Sequence, residues 1–209
     1  MINTVLENLK KNGFDPHFVA KKEDVLSLLK DLVPEKSVIS FGGSVTLNEC
    51  GVLDFLRNNN YELLDRNKPG LTREEIEEIY RKAFFADFYF AGTNAITEGG
   101  QLYNVDGNGN RVAAMIYGPK NVIVVAGINK IVKDINEAEL RVKNIAAPKN
   151  CERLSMDTYC NKVGNCVKNE CGFFGCDSDS RICCDYVIMG RQRIKNRIKV
   201  ILVGEELGY

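Results

Sequence analysis

The feature that most constrains this chain is an alternation. Short apolar runs recur along it, most of them leading into a helical segment of about ten residues. Residues 37–41, 61–64, 87–91 and 121–126 read as strands, and 17–20 as a further short one. Residues 4–11, 23–32, 45–57, 72–84, 110–117 and 134–146 read as helices, most with apolar side chains on one face. Asn12-Gly13 and Pro34 stop two of these helices, and Pro148 is expected to stop a third. Thr72 and Glu75 form a capping-box pattern. Residues 186–189 and 198–203 complete the pattern as two last strands. Strands alternating with helices imply βαβ units, an α/β class and a mostly parallel sheet with helices on both faces.

At 209 residues with 44% apolar side chains, the chain can bury a sizeable core as one domain, residues 1–209. A formal net charge of zero argues against a general nucleic-acid binder, which normally carries a basic excess. The apolar runs fall far short of the ~20 residues that cross a bilayer, so no membrane span is expected. The amphipathic start, MINTVLENLKKNGFD, is unlike a secretory signal. Together these features predict a cytoplasmic location.

In open α/β sheets, ligands bind beyond the carboxyl ends of the strands. Three polar segments follow strands here. Gly42-Gly43-Ser44-Val45-Thr46 comes first. A glycine pair beside a helix start suits an anion, though a plain turn with Ser44 as cap explains it equally. Neither a P-loop nor a dinucleotide fingerprint is present. The second segment, TNAITEGGQLYNVDGNGNRVAAM, crowds Asn94, Thr97, Glu98, Asp106, Asn108, Asn110 and Arg111 among glycines. Glu98-Gly99-Gly100 reads as a hairpin turn. The helix start at Asn110 supplies backbone N–H groups, and Arg111 could recognise a carboxylate or phosphate. The third segment, Gly127-Ile128-Asn129-Lys130, offers Lys130 as a point charge or as an ordinary solvated lysine. Arg141 and Lys143 read as a solvated face. The alternating basic run from Arg191 to Lys199 reads as a solvated ribbon, with a docking surface for an acidic partner as the alternative. His17, the single histidine, lies away from all three segments, which disfavours a His-dependent triad.

The stretches FGGSVTL, GTNAITEGGQLYNVDGNGNRVAAMIYGPKNVIVVAGINKIV, AELRVKNIAAPKN and VILVGEELGY resemble the lactate-utilisation (LUD) domain family, which includes lactate-utilisation protein C. The resemblance runs from about Glu7 to Tyr209. It implies a Rossmann-like three-layer fold, shared with sugar isomerases, glucosamine-phosphate deaminases and coenzyme A transferases. Some relatives belong to an iron–sulfur complex that oxidises L-lactate, and many have no assigned activity. The turn Thr97-Glu98-Gly99-Gly100 resembles the coenzyme A transferase turn whose glutamate is a nucleophile, which would make Glu98 catalytic.

Seven of the eight cysteines fall in residues 151–184, inserted before the last strands. In a reducing compartment such clusters are more often metal ligands or redox thiols than disulfides. Cys160, Cys166, Cys176 and Cys183 match the cysteine positions of LUD relatives. The gap between the second and third is widened here to nine residues, with Cys171 inside. Four thiolates could hold zinc or an iron–sulfur cluster. Buried inert thiols are the plainer alternative; Cys151 and Cys184 read as spares, and Cys50 as a small core residue within a helix.

Three readings follow. The first is a protein that binds a small anionic metabolite in lactate or organic-acid utilisation, with Gly42, Gly43, Ser44, Thr46, Asn94, Thr97, Asp106, Asn108, Asn110, Arg111 and Lys130 at one pocket. The second is a non-catalytic accessory to iron–sulfur redox partner proteins. The third is an acyl or coenzyme A transferase using Glu98.

Overall fold

The computed structural model describes residues 1–168 and 175–209; Cys171 lies outside them. The chain begins with α1 (Ile2–Lys11), β1 (Asp15–Val19), α2 (Asp24–Leu32) and β2 (Val38–Phe41). It continues through α3 (Val45–Glu49), α4 (Val52–Asn58), β3 (Glu62–Leu64), α5 (Arg73–Lys82) and β4 (Phe88–Ala91). A hairpin, β5 (Ala95–Thr97) and β6 (Leu102–Asp106), precedes α6 (Asn110–Tyr117) and β7 (Asn121–Gly127). Then come β8 (Ile131–Val132), α7 (Ile135–Arg141), α8 (Ala147–Arg153), α9 (Tyr159–Val163), β9 (Asp185–Met189) and β10 (Ile198–Val203).

Six strands form one parallel sheet in the order β1-β10-β7-β4-β2-β3. Its central strands are apolar on both faces, as strands covered on both sides must be. Ile39, Phe41, Phe88, Phe90, Ile123 and Val125 point to one face, against Val25 and Leu29 of α2, Leu47 of α3 and Phe55 and Leu56 of α4. Tyr89, Ala91, Val122, Val124 and Ala126 point to the other, against Val5 and Leu9 of α1 and Ala114 and Met115 of α6. A second sheet, β8-β5-β6-β9, closes that second face through Ile96, Leu102 and Met189. The result is a Rossmann-like three-layer α/β fold: the alternation predicts the parallel sheet with helices on both faces, and the family resemblance implies the Rossmann-like form.

The topology also places a crevice. After β2 the chain steps outward to β3 through α3 and α4, on the first face. After neighbouring β4 it steps the opposite way to β7, through the hairpin and α6 on the second face. Adjacent strands whose continuations diverge leave an opening beyond their carboxyl ends.

Local signals are realised with some corrections. Thr72 and Glu75 form the capping box, with Glu75 N–H donating to Thr72 Oγ1 at 3.2 Å and Thr72 N–H to Glu75 Oε2 at 2.7 Å. The helix expected across 45–57 is broken. Cys50 ends α3, and Gly51, at φ 67°, starts α4 in a backbone conformation that suits glycine. Pro148 does not stop the helix expected over 134–146. α7 passes through a widened π turn at Val142–Ala146 into α8, and Pro148 sits in the first turn of α8, where its missing N–H costs little.

Three of the basic side chains read as solvated are buried. Arg141 is 7% exposed, and Lys143, at 4%, pairs with Glu139 at 2.7 Å. Arg197 donates to the carbonyls of Pro119, Met115 and Ile116 at 2.8–3.2 Å, closing the carboxyl end of α6. The strand pattern around it reads as a ribbon because the main-chain acceptors that it meets lie 78–82 residues away. His17 lies in β1, with its Nε2 3.3 Å from Asp15 Oδ2.

Candidate functional site

The three polar segments leave the carboxyl ends of β2, β4 and β7, which lie side by side in the sheet. They meet at a cavity of about 370 Å³. Gly43 and Ser44 line it from β2, Asn94 from β4 and Lys130 from the turn after β7. Asp106, Asn108, Asn110 and Arg111 enter from the end of β6 and the start of α6. Gly42 and Thr46 stand behind this lining, and each positions a member of it.

The glycine pair has a specific use. A Cβ on Gly42 would stand 2.9 Å from Cγ of Arg111, and one on Gly43 would stand 2.9 Å from Nη2 of Arg66. Both glycines therefore make room for arginine side chains beside the backbone. Ser44 Oγ accepts from Leu47 N–H at 3.3 Å, the ordinary cap expected at this turn.

Arg111 organises the site instead of presenting itself to a ligand. Its Nε donates to Asp106 Oδ1 at 2.9 Å, and Nη1 donates to Gly92 O and Asn104 Oδ1 at 3.0 and 2.6 Å. Nη2 donates to Asn94 Oδ1 and Val105 O at 3.2 and 3.1 Å. All five guanidinium N–H groups thus have protein acceptors. The other carboxylate oxygen of Asp106 accepts from the N–H groups of Arg111 and Val112, each at 3.1 Å. Those are the helix-start donors that the sequence offers to a ligand, and Asp106 occupies them. The pair is nearly dry, so its many hydrogen bonds lock the β4, β6 and α6 segments together.

Lys130 is 3% exposed and lines the cavity. Its Nζ donates to Thr46 Oγ1 at 3.0 Å, and Thr46 Oγ1 donates onward to Leu207 O at 3.4 Å. Arg141 lies behind it, donating to Asn94 O at 2.7 Å and Asn129 O at 3.1 Å. Burial first, then the charges of Arg141 and Arg111, push the Lys130 amine down to about 7. The closing segment covers this corner. Leu207 N–H donates to Asn129 Oδ1 at 3.0 Å and Gly208 N–H to Glu49 Oε2 at 2.7 Å.

Several lining residues have no counterpart among the sequence candidates. Arg66 follows β3, stacks 5.4 Å from the Tyr80 ring centroid and donates to Tyr80 Oη at 2.9 Å. Arg153 donates to Tyr209 Oη at 2.8 Å and Asn150 Oδ1 at 3.2 Å. The rule that selected the three segments reaches Arg66 as well, since Asp65-Arg66 follows a strand. Arg153 and Tyr209 carry no such local signal.

Thr97 and Glu98 do not line the cavity. They form the β5–β6 turn, which docks on α1: Asn8 Nδ2 donates to Glu98 O at 2.8 Å and Asn12 Nδ2 to Gly99 O at 2.9 Å. Thr97 Oγ1 accepts from Gln101 N–H at 3.0 Å, and the Glu98 side chain is exposed.

Cys160, Cys166, Cys176 and Cys183 gather around a second, smaller cavity of about 20 Å³, and Cys183 also lines the large one. Cys151 lies beside them, its Sγ 3.6 Å from that of Cys160. Burial pushes the Cys151 thiol up to about 12 and that of Cys183 upward, against the pull of Arg181. Among the described residues, no three cysteine, histidine or acidic side chains stand at the spacing of a closed metal ligand set. Cys184 is exposed, and Cys50 is buried at the end of α3.

Comparison with known proteins adds the family. A solved DUF162 family protein from Deinococcus radiodurans is similar over 97% of this chain and 95% of its own, at 14% identity and a TM-score of 0.52. Ribose 5-phosphate isomerase A from Methanocaldococcus jannaschii is similar over 78% and 76%, at 16% identity and a TM-score of 0.37. The beta subunit of eIF2B from Chaetomium thermophilum is similar over 56% and 40%, at 15% identity and a TM-score of 0.37. No curated protein sequence matches. The family model of the LUD domain matches residues 2–203, nearly the whole chain, and the chain belongs to that family.

Proposed function

We propose that this LUD domain binds a small organic anion in the large cavity, as part of lactate or related organic-acid utilisation. One observation carries the reading: the charge of the lining. Arg66 and Arg153 line the cavity as cations beside the amine of Lys130, and the one acidic side chain of the described lining, Asp106, is consumed by Arg111. The Nη2 of Arg66 makes no hydrogen bond among the described residues, so its donors remain for a guest carboxylate or phosphate. Asn94, Asn108 and Asn150 add neutral polar groups to the wall. Arg111 contributes by holding the wall in shape.

Calorimetric titration with L-lactate, pyruvate and inorganic phosphate, and with neutral lactamide as control, tests this. A hydrogen bond to a charged group contributes about 1.5–3 kcal/mol. Arg66→Ala should therefore weaken anion binding roughly 10- to 100-fold. Lactamide binding as tightly as lactate, or an unchanged affinity in the variant, would count against the reading. Native mass spectrometry of the purified protein would identify a retained guest.

A second reading rests on a different observation, the gathering of Cys160, Cys166, Cys176 and Cys183 at one small cavity. Four thiols are the donor type of zinc or an iron–sulfur cluster, and the described side chains would have to draw closer together to hold either in an accessory protein for redox partners. Anaerobic purification with metal analysis and an absorbance spectrum should then find stoichiometric metal that Cys176→Ser loses. A colourless, metal-free sample removes this reading. Glu98 enters neither reading, because its carboxylate stands on the hairpin turn outside the cavity.

A further inference from the structure

We infer that Lys130 is a nucleophile, and that the cavity takes a small anion carrying a carbonyl group, with which the Lys130 amine condenses to an imine. The inference rests on the anion-binding reading above and narrows its substrate class.

Its first support is placement. Lys130 is the lysine of the cavity wall, and it is almost wholly buried. A buried ammonium normally has a carboxylate against it, because an unpaired buried charge is expensive. Lys143 meets that rule through Glu139. Lys130 does not. Among the described residues its one hydrogen bond goes to the neutral hydroxyl of Thr46, and the charges that act on it most strongly are the cations Arg141 and Arg111, which outweigh the opposing carboxylate of Glu49. Arg141 in turn is held by two main-chain carbonyls, so it keeps its charge and offers no compensation.

The second support is the hydrogen-bond direction. Thr46 spends its proton on Leu207 O and accepts from Lys130, so one amine proton is fixed. A neutral amine anchored in this way retains a lone pair that no protein group among the described residues engages. Burial among cations is the known physical route to a neutral, nucleophilic lysine near neutral pH. Other cations of the wall, Arg66 and Arg153, are available for the anionic end of a guest. The division of labour between them and Lys130 defines the guest: an anionic group at one end and an electrophilic carbon at the other.

The step balances without a further reactant. The Nζ lone pair bonds to the carbonyl carbon while the π pair moves to oxygen. A proton passes from nitrogen to that oxygen through solvent, and the carbinolamine loses water. Amine and carbonyl become imine and water.

Two anionic carbonyl classes share this chemistry, 2-oxo acids and phosphorylated ketones, and pyruvate and dihydroxyacetone phosphate represent them. The full chain is incubated with each in the presence of sodium cyanoborohydride, which reduces an imine to a stable secondary amine. Intact mass and peptide mapping locate the product, and calorimetry without reductant measures binding in parallel. The expected result is one adduct on the Lys130 peptide, absent in Lys130→Met and slowed in Thr46→Val. An adduct with pyruvate alone assigns a 2-oxo acid, and one with the phosphate ester alone assigns a phosphorylated ketone. No adduct on Lys130 with either compound overturns the inference, as does labelling spread over surface lysines and unchanged in Lys130→Met. Binding without an adduct removes the nucleophile but leaves the anion cavity standing, whereas no binding and no adduct removes both.

Discussion

The buried amine of Lys130 couples the site to stability as well as to chemistry. In the unfolded chain it titrates at its ordinary value of 10.5, and in the folded chain at about 7. Burial is the main cause, Arg141 and Arg111 add to it, and Glu49 and Cys50 oppose it. Between these two values the unfolded chain holds a proton that the folded chain has shed, so stability rises with pH across the window. Below about 7 both states are protonated and the folded protein bears the full cost of a buried charge. Lys130→Met should therefore gain more stability over the wild type at pH 6 than at pH 9, as read by urea unfolding at both. An equal difference at the two pH values would show that the amine is not neutral in the fold. Individual residues were unevenly legible in the sequence. Lys130 and Asp106 stand out because they follow strands, but the sequence cannot show that Arg111 and Asp106 satisfy each other. Arg66 follows a strand too, but nothing local shows that its side chain reaches the backbone of Gly43, more than twenty residues earlier.

Elements were more legible than their partners. The period of apolar residues identifies β2, β4, β7 and β10, because a strand buried on both faces has few polar positions. It does not reveal that β10 lies between β1 and β7 while β9, only a few residues earlier, belongs to the second sheet beside β6. Sheet membership depends on contacts far apart in sequence, and a local pattern carries no record of them. The same limit explains Pro148. Its ring forbids a helix interior but suits a first turn, and the π turn at Val142–Ala146 creates that first turn within an otherwise continuous run. The widened turn matters to the site, since Val142, Ala146 and Ala147 line the cavity and Asn150 and Arg153 extend the same wall. Gly51 acts in the opposite sense, dividing one apolar helical pattern into two short helices so that both can pack on the first face.

The cavity draws its wall from segments spread over most of the chain, from Gly43 to Tyr209. A guest touching Arg66, Lys130 and Arg153 would link the ends of β3 and β7 to α8, elements that no single strand pairing joins. Anything that binds only the folded state stabilises it by mass action, about 2.7 kcal/mol at a hundredfold excess over Kd. For a chain of this size each kcal/mol raises Tm by roughly 2–4 °C, so a saturating anion should raise it by about 5–11 °C. Hydrogen exchange should slow together in residues 42–46, 92–94, 106–111, 127–130 and 142–154, because one guest would restrain all of these segments. The β5–β6 turn around Glu98, docked on α1 and outside the cavity, should keep its exchange rate. In Arg66→Ala both responses should shrink at the same anion concentration while the unliganded Tm stays near that of the wild type, since Arg66 is only partly buried and carries no ion pair among the described residues. Protection confined to one segment, or centred on the Glu98 turn, would place the guest elsewhere and undo the assignment of this cavity.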